Sequence, residues 1–94
     1  MWRDYLMKVL LLPGDGIGPE ISRVVADIIA CLNNKLDLGI ELKEKDAGFK
    51  ALEIHGTTFP ADVANEAETS DGIILGPSDS AAYPLPEQGG INLS

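Results

Sequence analysis

Three glycines at alternate positions follow an apolar run in Leu10-Leu11-Leu12-Pro13-Gly14-Asp15-Gly16-Ile17-Gly18-Pro19-Glu20-Ile21. A glycine-rich turn between a strand and a helix can cradle phosphate, because backbone N–H groups at the helix N-terminus then meet the anion without side chains in the way. The spacing argues against that chemistry here. A dinucleotide fingerprint would place its third glycine at position 19, which is Pro19, and would need an acidic residue about 20 positions on, whereas Asp46 falls about ten residues too late. Asp15 inside the turn would repel a pyrophosphate, and Glu20 competes for the positive end of the helix. The Gly-Lys-Ser/Thr of a Walker A loop is also missing. A rigid strand-to-helix turn remains, with Ile17 at its tip.

Other reactive side chains carry less. Cys31 falls in a helical pattern with no base near it in sequence and reads as a packed residue. His55, followed by Gly56, reads as a helix end. Asp62, Glu66, Glu68 and Asp71 alternate with Ala and Val, the pattern of a solvated helix face rather than a metal site. Tyr5 and Tyr83 are single aromatics in flexible contexts.

The elements that must position the turn follow from hydrophobic period. Met7–Leu12 is a short continuous apolar strand, ended by Pro13, which cannot donate to a sheet ladder. Ile21, Val24, Val25, Ile28, Ile29, Leu32 and Leu36 recur at helical spacing. Pro19 and Glu20 suit the first turn of that helix, while Asn33, Asn34 and Gly39 are expected to stop it, with Lys35 near its negative end. Residues 40–45 alternate as a half-buried strand, Asp46-Ala47-Gly48 turns the chain, and 49–54 forms a short helix closed by His55-Gly56. Thr57-Thr58-Phe59-Pro60 is a loop. A further helix starts at Pro60 or Ala61 with Val63 and Ala67 facing inward, and Ile73-Ile74-Leu75 is a buried strand closed by Gly76-Pro77. Everything after Pro77 reads as loop. The order implies an α/β fold with a parallel βαβαβ sheet and right-handed crossovers, in which Leu10–Leu12 and Ile73–Leu75 are both central strands.

The chain has 94 residues, enough for one small domain with a marginal core. A single cysteine excludes an internal disulfide and fits a reducing compartment, so a soluble, cytoplasmic protein is expected. Residues 1–6 read as a dispensable leader, and no run approaches the roughly 20 apolar residues that span a membrane. Net charge is −8, unevenly placed: residues 1–50 hold seven Lys/Arg against eight Asp/Glu, whereas residues 51–94 hold seven Asp/Glu and no Lys or Arg. That excludes a nucleic-acid face and leaves the second half without a cation to clamp an anionic substrate.

Pro13-Gly14-Asp15-Gly16-Ile17-Gly18-Pro19-Glu20-Ile21, directly after the first strand, resembles the N-terminus of the isocitrate/isopropylmalate dehydrogenase family, the β-decarboxylating 2-hydroxy-acid dehydrogenases. Gly48, Gly56, Pro60, Ile74-Leu75-Gly76-Pro77 and Gly89-Gly90-Ile91-Asn92-Leu93-Ser94 continue the similarity in register over residues 7–94. The resemblance implies the isopropylmalate dehydrogenase-like fold rather than the G-x-G-x-x-G dinucleotide-binding one. Residues 1–94 would form a single partial domain, the first part of the large domain, with 77–94 as an active-site loop.

It further implies NAD or NADP as cofactor. Ile17 would make an apolar contact to adenine, Pro77, Ser78 and Asp79 would lie toward the nicotinamide, and Glu87 would sit near the nicotinamide ribose. Asn92 and Ser94 would touch a malate-type 2-hydroxy acid of the 3-isopropylmalate, isocitrate or tartrate class. The family acts as a homodimer with Mg²⁺ or Mn²⁺. Its substrate-binding arginines, acid/base tyrosine and lysine, and metal-ligating aspartates match no position here, so the chain alone is expected to be inactive. A small non-catalytic α/β binding module or partner subunit is the other reading.

Overall fold

A computed structural model describes residues 7–93. The leader assigned to residues 1–6, Tyr5 and the substrate contact assigned to Ser94 lie outside the described residues. Three strands, β1 (Met7–Leu12), β2 (Ile40–Glu44) and β3 (Gly72–Leu75), form a parallel sheet in the order β2-β1-β3. Helix α1 (Gly18–Leu36) joins β1 to β2, and α2 (Phe49–His55) and α3 (Ala61–Thr69) join β2 to β3. Two 3₁₀ turns, Ser80–Ala82 and Pro86–Gln88, interrupt the segment expected to be all loop.

The core sits on β1. Successive strand residues face opposite sides, and Leu10, Leu11 and Leu12 are all buried, so both faces of the strand end are covered. On one side Leu10 and Leu12 pack with Ala47 and with Val63 of α3, flanked by Phe59, Ala67 and Leu93. Val63 and Ala67 thus face inward as their spacing predicts. Strand β3 is not central among the described residues. It pairs only with β1, and its Ile73 and Leu75, on the same face as Leu10 and Leu12, are 51% and 36% exposed.

Helix α1 begins as expected, with Pro at the first positions and Glu20 in the first turn, but it runs past Asn33 and Asn34. It ends at Asp37, whose backbone is left-handed (φ 52°) and whose N–H donates to the Asn33 carbonyl. Asn33 is used otherwise. Its side-chain amide donates to the Ile40 carbonyl (2.7 Å) and accepts from the Ile40 N–H (3.0 Å), so it fastens the start of β2 to the helix. The apolar stripe of α1 stays largely open, with Ile21, Val24, Ile28, Leu32 and Leu36 exposed and only Gly18 and Ser22 fully buried.

The acidic residues of α3 also depart from expectation. Asp62 meets Lys45 at 3.1 Å, and Glu66 meets Lys43 at 3.3 Å and Lys8 at 3.6 Å. Asp71, just before β3, accepts from the Lys8 backbone N–H at 2.7 Å. Lysines of β1, of β2 and just past the end of β2 therefore engage carboxylates that the sequence pattern assigns to solvent. The side chains of the Lys43 and Lys45 ammonium groups draw the Glu66 and Asp62 carboxyls below their ordinary values, mainly through hydrogen bonds.

Because Leu10 is fully buried at the centre of the sheet, Leu10→Ala is expected to cost about 2–5 kcal/mol. Equilibrium urea unfolding followed by circular dichroism should show the midpoint fall with little change in slope.

Candidate functional site

The turn after β1 and the loop after β3 meet backbone to backbone. The Gly76 N–H donates to the Leu12 carbonyl (2.8 Å) and the Asp15 N–H donates to the Pro77 carbonyl (2.7 Å). The glycines make this approach possible. A Cβ on Gly14 would collide with the Pro77 carbonyl oxygen, and one on Gly18 or Gly76 would collide with that of Pro13. The alternation of glycine that first suggests a phosphate cradle is here the mark of two backbones in contact.

The Asp15 side chain gathers the rest. Its Oδ1 accepts from the Phe49 N–H at the start of α2 (2.8 Å). Its Oδ2 accepts from the Asp79 N–H (2.8 Å) and from the Tyr83 hydroxyl (2.5 Å). Burial by itself pushes the Asp15 carboxyl up, but the hydrogen bonds from Tyr83, Phe49 and Asp79 together outweigh it, and the group is held below its ordinary value. The same contact, after burial, pushes the Tyr83 phenol well above its usual range. Tyr83 is thus half-buried and locked rather than a loose aromatic, and its ring meets that of Phe49 edge-on with centroids 4.9 Å apart. It serves as a donor to Asp15.

Beside this junction lies an open cavity of about 310 Å³ lined by Asp15, Gly16, Ile17, Phe49, Pro77, Ser78 and Asp79. Ile17 is 62% exposed and forms one apolar wall, with Phe49 and Pro77 supplying more apolar surface. Four sequence-assigned residues, Ile17, Pro77, Ser78 and Asp79, therefore share one cavity. Glu87 and Asn92 are exposed and do not line it. Asp15, Gly16 and Phe49 also line the cavity, and none of the three is among the contacts assigned from the sequence. In the sequence Phe49 reads as the first residue of a short helix, and Asp15 as a deterrent to phosphate in a turn better suited to a base or ribose.

The lining holds two carboxylates, a serine hydroxyl and no cation. Those donors and acceptors suit an uncharged ring or a ribose and oppose a phosphate group. Among the described residues no group of three or more His, Cys, Asp or Glu could hold a metal ion, and no helix is long and apolar enough to cross a membrane.

A second polar junction anchors the end of the described chain. Thr58, fully buried, donates through its hydroxyl to the Ile91 carbonyl (2.7 Å) and accepts from the Ile91 N–H (2.7 Å). Its backbone N–H donates to the Gly89 carbonyl (2.9 Å), and its own carbonyl accepts from the Gly48 N–H (2.8 Å). The stretch carrying Glu87 and Asn92 is thereby tied to the loop between α2 and α3, and through the Thr58 carbonyl to Gly48 at the start of α2.

Comparison with known proteins gives a consistent picture. A family model described as isocitrate/isopropylmalate dehydrogenase matches residues 8–92. A 3-isopropylmalate dehydrogenase of Prochlorococcus marinus is 38% identical over 92 residues, covering 92% of this chain and 25% of that protein. One from Hahella chejuensis is 42% identical over 69 residues, covering 73% of this chain and 19% of that protein. The crystal structure of an isocitrate dehydrogenase from Methylococcus capsulatus superposes with a TM-score of 0.70 at 27% identity, covering 95% of this chain and 23% of that one. The chain thus spans about a quarter or less of the length of the curated relatives it matches.

The lowered Asp15 carboxyl has a consequence for acid stability. A carboxyl whose folded value lies below its ordinary 3.8 contributes stability that is present above that ordinary value and lost as pH falls through the lowered one. Wild type is expected to be more stable than Asp15→Asn at pH 7. Urea midpoints measured at successive pH values should show that gap narrowing below about pH 4.

Proposed function

This chain belongs to the isocitrate/isopropylmalate dehydrogenase family, and we propose that it forms the cofactor-side turn of an NAD(P)-dependent dehydrogenase that oxidises and decarboxylates a 2-hydroxy acid. The observation that carries the reading is the shared cavity: Ile17, Pro77, Ser78 and Asp79, far apart in sequence, line one mostly apolar recess without a cation. That lining fits the nucleoside part of NAD or NADP. Ile17 supplies the apolar contact to adenine, and the turn at Pro77, Ser78 and Asp79, expected from the sequence to lie toward the nicotinamide, is read instead as the opposite wall of this same nucleoside recess. The pyrophosphate would have to be met elsewhere, since Asp15 and Asp79 face the recess.

When bound, the nicotinamide accepts the hydride removed from the hydroxyl carbon. The chain's own part is binding and orientation. Glu87 and Asn92, exposed and off the cavity, are assigned to the nicotinamide ribose and to the substrate, with Ser94 beside Asn92. The 3-isopropylmalate class is the favoured substrate, because the similar curated sequences are 3-isopropylmalate dehydrogenases. Isocitrate is the second choice, supported by the structural neighbour. The arginines, tyrosine, lysine and metal-binding aspartates of the family match no position here, so the chain alone is expected to show no turnover. The full-length protein is read as a soluble homodimer that uses Mg²⁺ or Mn²⁺.

Titration of the chain with NAD, NADP and adenosine, followed by amide chemical shifts, tests the cavity assignment. Perturbations should concentrate at residues 15–17, 49 and 77–79. Ile17→Asp, which replaces an exposed apolar wall with a third carboxylate, should weaken adenosine and NAD alike by about tenfold, equivalent to roughly 1.4 kcal/mol. Shifts confined to α1 or to the open edge of β3 would overturn the reading.

A further inference from the structure

The group that governs the shape of the cavity is one that the proposed cofactor contacts do not use. We infer that Asp15 is a positioning residue: its carboxylate fastens the Phe49 wall and the Pro77–Asp79 wall to the turn that carries Ile17, and so fixes the cavity before any ligand enters. The inference rests on the cofactor reading for the identity of the ligand, but the clamp itself stands on contacts within the chain.

The three donors come from three places: the start of α2, the loop after β3, and the 3₁₀ turn beyond it. An ionised carboxylate is acceptor-only, which suits a site where every neighbour donates. The arrangement is also specific to the ion. Phe49 N–H is served by Oδ1 and Asp79 N–H by Oδ2. In an asparagine one of those two atoms becomes an NH₂ donor, so whichever way the amide turns, one backbone N–H faces another donor. Phe49 is held twice, through its own N–H and through the Tyr83 ring that Asp15 fixes against it. Gly48 completes the fit. A Cβ there would collide with Asp15 Oδ1 and crowd the Tyr83 hydroxyl.

Pre-set walls lower the ordering cost of binding. Loss of the clamp should therefore both loosen the walls and weaken the ligand, and two readouts on the whole chain separate these effects. In ligand-free protein at pH 7, Asp15→Asn should speed amide hydrogen exchange at Phe49 or Asp79, or both, by about tenfold, with the β1 amides of Leu10 and Leu11 unchanged. NAD, titrated into the same samples, should bind about tenfold more weakly to Asp15→Asn than to wild type.

Unchanged exchange at both Phe49 and Asp79 overturns the clamp, whatever NAD does. Faster exchange with unaltered NAD affinity overturns its role in binding. If wild type does not bind NAD, the cofactor reading fails and the exchange rates still decide the clamp. Should Asp15→Asn also lose protection in β1, Tyr83→Phe takes its place, since it removes one donor to the carboxylate and leaves both backbone donors, the Phe49 and Asp79 N–H groups. Faster exchange at Asp79 with β1 intact then supports the clamp, and unchanged exchange there overturns it.

Discussion

The Asp15 carboxylate accepts hydrogen bonds from residues 34, 64 and 68 positions away in sequence, and no other side chain in the described structure draws together as much of the site. Around it the backbone of the first turn lies against the backbone of the Gly76-Pro77 loop, an approach that only glycine permits at positions 14, 18 and 76. The two features depend on each other. The glycines bring the loops close enough for one short side chain to span them, and the carboxylate satisfies the N–H groups that such crowding would otherwise leave without acceptors.

Thr58 does for the end of the described chain what Asp15 does for the cavity. A fully buried hydroxyl that both donates to and accepts from Ile91 imitates the paired contacts of a sheet, so the segment at 89–91 is held in place without being a strand. Together the two side chains turn what looks like a long glycine- and proline-rich tail into a surface with a defined course. Local 3₁₀ turns shape this tail, and contacts from Asp15 and Thr58 on other elements fix where it runs.

This division explains how much was legible in the sequence. The period of Ile21 to Leu36, the alternation at β2 and the run Leu10–Leu12 are local signals, and the elements they announce are present within a residue or two. The glycine-containing motif was also readable, as a family mark, and the family model bears it out. Long-range partners were not readable. Asp15 looked like an obstacle to phosphate because its donors lie on other loops, and Thr58 looked like loop because Ile91 is 33 positions away. Asn33 suggested a helix stop, since asparagine often is one, but its amide was needed at Ile40. Strand β3 has the apolar run of a central strand, yet it pairs on one side only, and Ile73 and Leu75 are open.

The row of lysines on the sheet has a meaning beyond neutralising acid. Lys8 lies on the same face of β1 as Leu10 and Leu12, and the pairing of Leu10 with Lys43 puts Lys43 on that face of β2, with Lys45 just past the strand's end. Helix α3 therefore reads two patterns at once: Val63 must enter the apolar centre while Asp62 and Glu66 reach the surrounding ammonium groups. Ion pairs of this kind add little net stability. Their effect is to set the rotational phase of the helix. Turning α3 by one residue, about 100°, would withdraw Val63 from the core and strand Glu66, only 16% exposed, away from both its lysines. Charge here acts as a key that admits the helix in one orientation.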